Sequence, residues 1–266
     1  MNSVTLILST GRCGTQWIAT MLARHFGNVV DVAHEPLGHA HETRKLLGLR
    51  EVHELPANVA EHFQFIESKL TSRSYIECGH PAWSSVPLLA KQFADRFRVV
   101  HLVRHPVSCC HSWLSHGAYQ PPLLPHIKER VLLTPFDAGV KFSEYQSLWG
   151  QMTPFEKCLY YWTEVNALGL EWESSLNLPW LRLKYEDLFE GEGLNTLLSF
   201  LDLPLQESIV NERQTPVDRF HYHLMGLPDS SGMRQFPHLV QLVEKLGYRL
   251  DAIDDASLAR RYSPMG

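Results

Sequence analysis

The strongest constraint on the fold lies in the first 26 residues. Val4–Leu8 is a short apolar run that reads as a buried strand. Ser9 to Thr15 follow, a small-residue turn holding Gly11, Arg12, Cys13 and Gly14. The helical pattern Gln16–Phe26 comes next, with apolar residues at Ile18, Met21, Leu22 and Phe26 on one face. A tight turn between a buried strand and a helix presents backbone N–H groups to an anion. Arg12 adds a permanent positive charge with several donors. The expected ligand carries phosphate or sulfate.

The pattern repeats along the chain. Strands are expected at Val4–Leu8, Asn28–Val32, Ser74–Cys78, Phe97–Val103 and Trp180–Lys184. Helices are expected at Val59–Leu70, Val86–Arg96, Val107–His116, Glu156–Ser174, Gly193–Leu201 and Pro237–Leu246. Such alternation predicts an α/β fold: three layers, with a central parallel sheet flanked by helices. Ligands of these sheets sit beyond the carboxyl ends of the strands. One domain over residues 1–266 is expected, with an irregular excursion at about 117–155 and a helical segment from about 237. A net charge of −5 speaks against broad binding to nucleic acid or anionic membranes, so any anionic ligand needs a local arginine pocket. No apolar run reaches the length of a membrane span. Five cysteines, an odd number with Cys109 and Cys110 adjacent, do not form a disulfide framework. With no signal peptide visible, a cytoplasmic protein is expected.

The turn is not that of an ATP hydrolase, because no lysine precedes Thr15. A second motif follows the fourth strand: Arg104-His105-Pro106, then a helix carrying Ser112. Pro106 suits a first helical position. Arg104 and Ser112 could converge on a second phosphate.

With these residues the chain resembles the sulfotransferases that use 3′-phosphoadenosine 5′-phosphosulfate (PAPS). Their first loop reads Lys/Arg-Ser-Gly-Thr-x-Trp, matched by Arg12-Cys13-Gly14-Thr15-Gln16-Trp17 with cysteine for serine. Their second motif places a serine eight residues after an arginine, as in Arg104 and Ser112. Tyr185-Glu186-Asp187-Leu188, after a strand, is a third family-like feature. The resemblance implies a P-loop-like fold, PAPS as donor, adenosine 3′,5′-bisphosphate (PAP) as product and no metal. It implies that Arg12, Cys13, Gly14, Thr15 and Gln16 hold the 5′-phosphosulfate. Arg104 and Ser112 take the 3′-phosphate, Trp17 and Tyr185 flank the adenine, and Arg234 is a weaker candidate for the 3′-phosphate.

Transfer to a hydroxyl, or less readily an amine, requires a base. Glu35 follows the second strand, 23 residues after Arg12, where carbohydrate and tyrosylprotein sulfotransferases carry a similar glutamate. His80 follows the third strand and resembles the catalytic histidine of the small-molecule enzymes, although Gly-His-Pro-Ala replaces their Thr-His-Leu-Pro. Glu35 is the expected base and His80 the expected lining of the acceptor site. The acceptor, a small molecule or carbohydrate, should meet residues 37–53, 83–85 and 119–135, with Trp83, Trp113 and Tyr119 as wall or core. A small-molecule kinase and a non-catalytic nucleotide-binding module are the other readings. The pairs His39/His41 and His221/His223 are spaced as a metal pair on a strand, without a clear third ligand.

Overall fold

A computed structural model describes residues 1–120, 131–206, 208–209 and 236–252. Five strands form one parallel sheet in the order β2-β3-β1-β4-β5: β1 (Val4–Leu8), β2 (Val30–His34), β3 (Ser74–Cys78), β4 (Phe97–Val103) and β5 (Trp180–Lys184). Four coincide with the sequence expectation. β2 begins two residues later than the expected Asn28, because Asn28 and Val29 still belong to the turn leaving the first helix, where Val29 N–H bonds the Phe26 carbonyl.

The helices are α1 (Thr15–Phe26), α2 (Thr43–Leu47), α3 (Ala57–Lys69), α4 (Val86–Phe93), α5 (Pro106–Ser115), α6 (Pro154–Ser175), α7 (Tyr185–Glu190), α8 (Gly193–Phe200) and α9 (Pro237–Lys245). The sequence predicts that α4 runs on to Arg96, but Ala94 takes a positive φ (49°) and the last turn tightens to 3-10. The short helices α2 and α7 were not foreseen, each too brief to show a periodicity.

The strands are uniformly buried at β1, where Val4, Leu6, Ile7 and Leu8 lie under helices on both sides. Continuous apolar runs are what a doubly covered parallel sheet requires. β2 and β3 lie on one side of β1, β4 and β5 on the other, so the chain changes sides above the carboxyl end of β1. The registers keep the strand ends level: Ile7 pairs Cys78, Leu8 pairs His101, His34 pairs Cys78 and Val103 pairs Lys184. All five strands therefore deliver their next residues to one rim.

Helix α6 closes the far side of that rim. Its start is fixed by a capping box in which Thr153 Oγ1 accepts from Glu156 N–H and the Glu156 carboxylate accepts from Thr153 N–H. Just over two turns into the helix, Trp162 donates its indole N–H to the Arg104 carbonyl at 2.9 Å. Among the described residues no helix is long and apolar enough to cross a membrane.

Thr153→Ala removes the cap. It should cost about 1 kcal/mol of stability, read as a lower denaturation midpoint with an unchanged slope in urea.

Candidate active site

Each strand ends at a residue with chemistry: the loop 9–14 after β1, Glu35 after β2, His80 after β3, Arg104 after β4 and Tyr185 after β5. The loop is built from left-handed backbone. Gly11, Arg12 and Gly14 have φ of 76°, 59° and 83°. Glycine suits such angles, and at Gly11 a Cβ would also come within 2.7 Å of the Trp113 ring. Arg12 adopts one at a cost of about 1–3 kcal/mol, the strain typical of functional turns. Glu35 does the same, with φ 47°.

Interior contacts hold the loop. Ser9 Oγ accepts from Gly11 N–H at 3.1 Å, Trp113 Nε1 donates to the Thr10 carbonyl at 3.0 Å, and Cys13 Sγ donates to the Gly11 carbonyl at 3.1 Å. Cys13 is buried, and burial pushes its thiol well above the ordinary range, so it stays protonated. Its side chain faces the interior, which leaves only its backbone N–H to offer a ligand. No side chain caps α1, and no acidic residue sits in its first turn. A helix start of this kind, behind a left-handed loop, favours an anion.

The two arginines meet at this loop. Arg12 Nε donates to Ser112 Oγ at 3.0 Å, and Arg104 Nη1 donates to the Arg12 carbonyl at 2.8 Å. The Arg104 guanidinium also lies 4.5 Å from the Tyr185 ring centre. Tyr185 packs against Gly14, where a Cβ would sit 3.1 Å from its ring. Thr15 Oγ1 lies 3.4 Å from His34 Nε2, and Gln16 is exposed at the helix start. Trp17 is nearly buried, its ring 4.9 Å from that of Phe189, which in turn lies 4.8 Å from Tyr185. Phe189 was missed in the sequence. Its only signal was its place one helical turn after Tyr185, visible once α7 was known. Arg234 lies outside the described residues.

Glu35 and His80, expected as base and wall, are bonded to each other. His80 Nδ1 lies 2.9 Å from Glu35 Oε1, and His34 Nε2 is 3.8 Å from the same oxygen. Gly79 makes this approach possible, since a Cβ there would stand 3.1 Å from the Glu35 backbone. Burial works to raise the Glu35 pKa, but His80, His34 and Arg12 outweigh it and hold the carboxyl at about 2. Glu35 remains partly exposed, whereas His80 is nearly covered and its Nε2 is buried without a partner.

The aromatic candidates separate. Trp113 lies between His80 and Tyr161, with ring centres 5.2 and 6.1 Å away. Trp83 is wholly buried against Trp172 and belongs to the core. Tyr119 bonds the Leu133 carbonyl through its hydroxyl. Between them α2 and the segment after Val131 are tied by Arg44 and Asp137 at 2.7 Å.

The metal-pair spacing does not hold for the first histidine pair. His39 and His41 lie in a 3-10 turn, not a strand, and His41 Nε2 is 2.7 Å from Ser85 Oγ. His221 and His223 lie outside the described residues. Among the described residues no cluster of three His, Cys, Asp or Glu is placed to hold a metal.

The family model for the sulfotransferase domain matches residues 3–222. The chain belongs to that family. Among solved structures it is similar to the sulfotransferase domain from the curacin biosynthetic pathway (16% identity, 94% of this chain and 99% of that one, TM-score 0.51). It is similar to a mouse sulfotransferase complexed with PAP (13% identity, 97% and 88% coverage, TM-score 0.51). It is also similar to a sulfotransferase from Alicyclobacillus acidocaldarius (13% identity, 95% and 98% coverage, TM-score 0.51). At these identities the likeness is one of fold, and the fold agrees with the parallel sheet described above. Among curated proteins, none matches.

The depressed Glu35 carboxyl has a consequence for stability. A carboxylate held down in the folded state stabilises it above the unfolded pKa of about 4.3, and this is lost as pH falls toward 2. The melting-temperature gap between the parent protein and Glu35→Gln should be constant above about pH 5 and shrink between about pH 4 and 2. A gap unchanged down to pH 2.5 or so would contradict the assigned ionisation.

Proposed function

We propose that this member of the sulfotransferase family moves a sulfuryl group from PAPS to a hydroxyl of a small-molecule or carbohydrate acceptor, with an amine as the secondary choice. One observation carries the reading: Arg12 and Arg104, from turns 92 residues apart, come together, with Arg104 bonding the Arg12 carbonyl and Arg12 bonding Ser112 on the helix after Arg104. A nucleotide bearing phosphate at both ends of its ribose is the ligand such a pair fits.

The N–H groups of the left-handed loop, Thr15, Gln16 and the start of α1 take the 5′-phosphosulfate. Arg104 and Ser112 take the 3′-phosphate, and Tyr185, Phe189 and Trp17 form the aromatic side of the adenine site. The acceptor oxygen bonds to sulfur as the bond from sulfur to the 5′-phosphate oxygen breaks. The electron pair of that bond leaves with the phosphate. Arg12 neutralises the charge that develops there. Glu35 accepts the acceptor's proton, and His80 fixes Glu35 through Oε1, leaving its second oxygen for the acceptor. The five cysteines are buried and none is in a disulfide, which supports a reducing compartment such as the cytoplasm.

Ligand binding raises thermal stability by mass action. PAP should raise the melting temperature, and ATP with magnesium should not. A response confined to ATP would overturn the reading in favour of a kinase. With labelled PAPS and a panel of phenols, alkyl alcohols, sugars and amines, transfer should appear on an alcohol. In single turnover Glu35→Gln should slow transfer by about 10²- to 10⁴-fold while PAP binding is kept. If His80→Asn alone abolishes the chemical step, the base assignment is wrong.

A further inference from the structure

The backbone of Arg104 is held by a segment far from it in sequence. Helix α9 ends at Lys245, and the chain turns through Gly247, Tyr248 and Arg249 onto the carboxyl ends of β4 and β5. Gly247 is left-handed (φ 75°), and its carbonyl accepts from Lys184 Nζ at 2.7 Å. Lys184 also covers the Tyr248 ring at 5.0 Å.

From this turn the contacts go to the two residues that flank Arg104. The Tyr248 hydroxyl donates to Glu186 Oε2 at 2.6 Å and lies 3.1 Å from the Val103 carbonyl. Glu186 Oε1 accepts from the His105 N–H at 3.3 Å. His105 Nε2 reaches the Arg249 carbonyl at 3.0 Å, and its ring stands edge-on to Tyr248 at 5.5 Å. Burial, then the Glu186 carboxylate, raises the phenol pKa of Tyr248, so the hydroxyl keeps its proton and remains the donor.

We infer that Tyr248 and Glu186 are positioning residues for the nucleotide site: together they clamp the Val103–His105 turn and so aim Arg104 at the 3′-phosphate. Glu186 is next to Tyr185, the residue under the Arg104 guanidinium, so one carboxylate links the C-terminal turn, the turn after β4 and the aromatic under Arg104. The sequence singles out Tyr185 in this string, and the proposed reaction leaves Glu186 and Tyr248 without a task. The inference rests on the assignment of Arg104 to the 3′-phosphate.

The test compares PAP with adenosine 5′-monophosphate, which lacks the 3′-phosphate, by calorimetry on the whole chain. Tyr248→Phe deletes one hydroxyl and keeps the ring. It should weaken PAP by about three- to tenfold, a fraction of what a direct hydrogen bond to a charged group contributes because the hydroxyl acts only through the turn, and change the monophosphate by less than about twofold. Glu186→Gln should act in the same direction. In turnover the KM for PAPS should rise with kcat little changed. Equal losses for both nucleotides would mean a merely structural role and overturn the inference, as would no loss for either. If the parent protein does not prefer PAP to the monophosphate, the 3′-phosphate assignment itself falls, and this inference with it.

Discussion

The hydrogen bond from Arg104 Nη1 to the Arg12 carbonyl is the contact on which the site depends. Arg12 has a left-handed backbone that a side-chain-bearing residue adopts only when its surroundings impose it. Arg104 and Trp113 impose it from outside the loop, while the Ser9 hydroxyl does so from within. Since Arg104 and Trp113 both follow β4, a loop that follows β1 takes its shape from the neighbouring strand's connection. The level registers of the parallel sheet bring those two connections together. A shift of one residue between β1 and β4 would move the guanidinium by more than 3 Å along the strand and break the contact.

The Glu35–His80 pair shows a different tension. A carboxyl at about 2 is ionised at any working pH, and so is ready to receive a proton, but it is a weak base. Part of that depression comes from Arg12. An anion on the loop would engage Arg12 and add negative charge nearby, and both effects raise the Glu35 pKa. In the proposed reaction Glu35 is thus a stronger base when the donor is in place.

Much of the frame was legible because it rests on uninterrupted apolar runs and on helix periodicity. Val4–Leu8, Phe97–Val103 and Trp180–Lys184 are strands as expected, and the loop, Glu35, His80, Arg104 and Tyr185 were found at strand ends because ligands of such sheets gather there. Contacts between those ends were not legible. Nothing in the spacing of Glu35 and His80 states that they touch, since that follows from β2 and β3 being neighbours with Gly79 between them. Phe189 stayed hidden in a six-residue helix, and Trp83 read equally as wall or core until its burial against Trp172 was seen. Tyr248 carried no motif at all. Its role depends on where α9 docks, which long-range packing decides.

A chain with net charge −5 can still select a highly anionic nucleotide because its field is local. Acidic groups outside the loop repel anions weakly through water, and salt screens them beyond about 8–10 Å. Inside the rim Arg104 is buried, so its attraction is screened far less. Burying a guanidinium is costly unless its surroundings compensate. Here the Arg12 carbonyl and the Tyr185 ring face do so. A carbonyl dipole and a ring face stabilise a buried cation without neutralising it, which is why a carbonyl and a tyrosine suit this position.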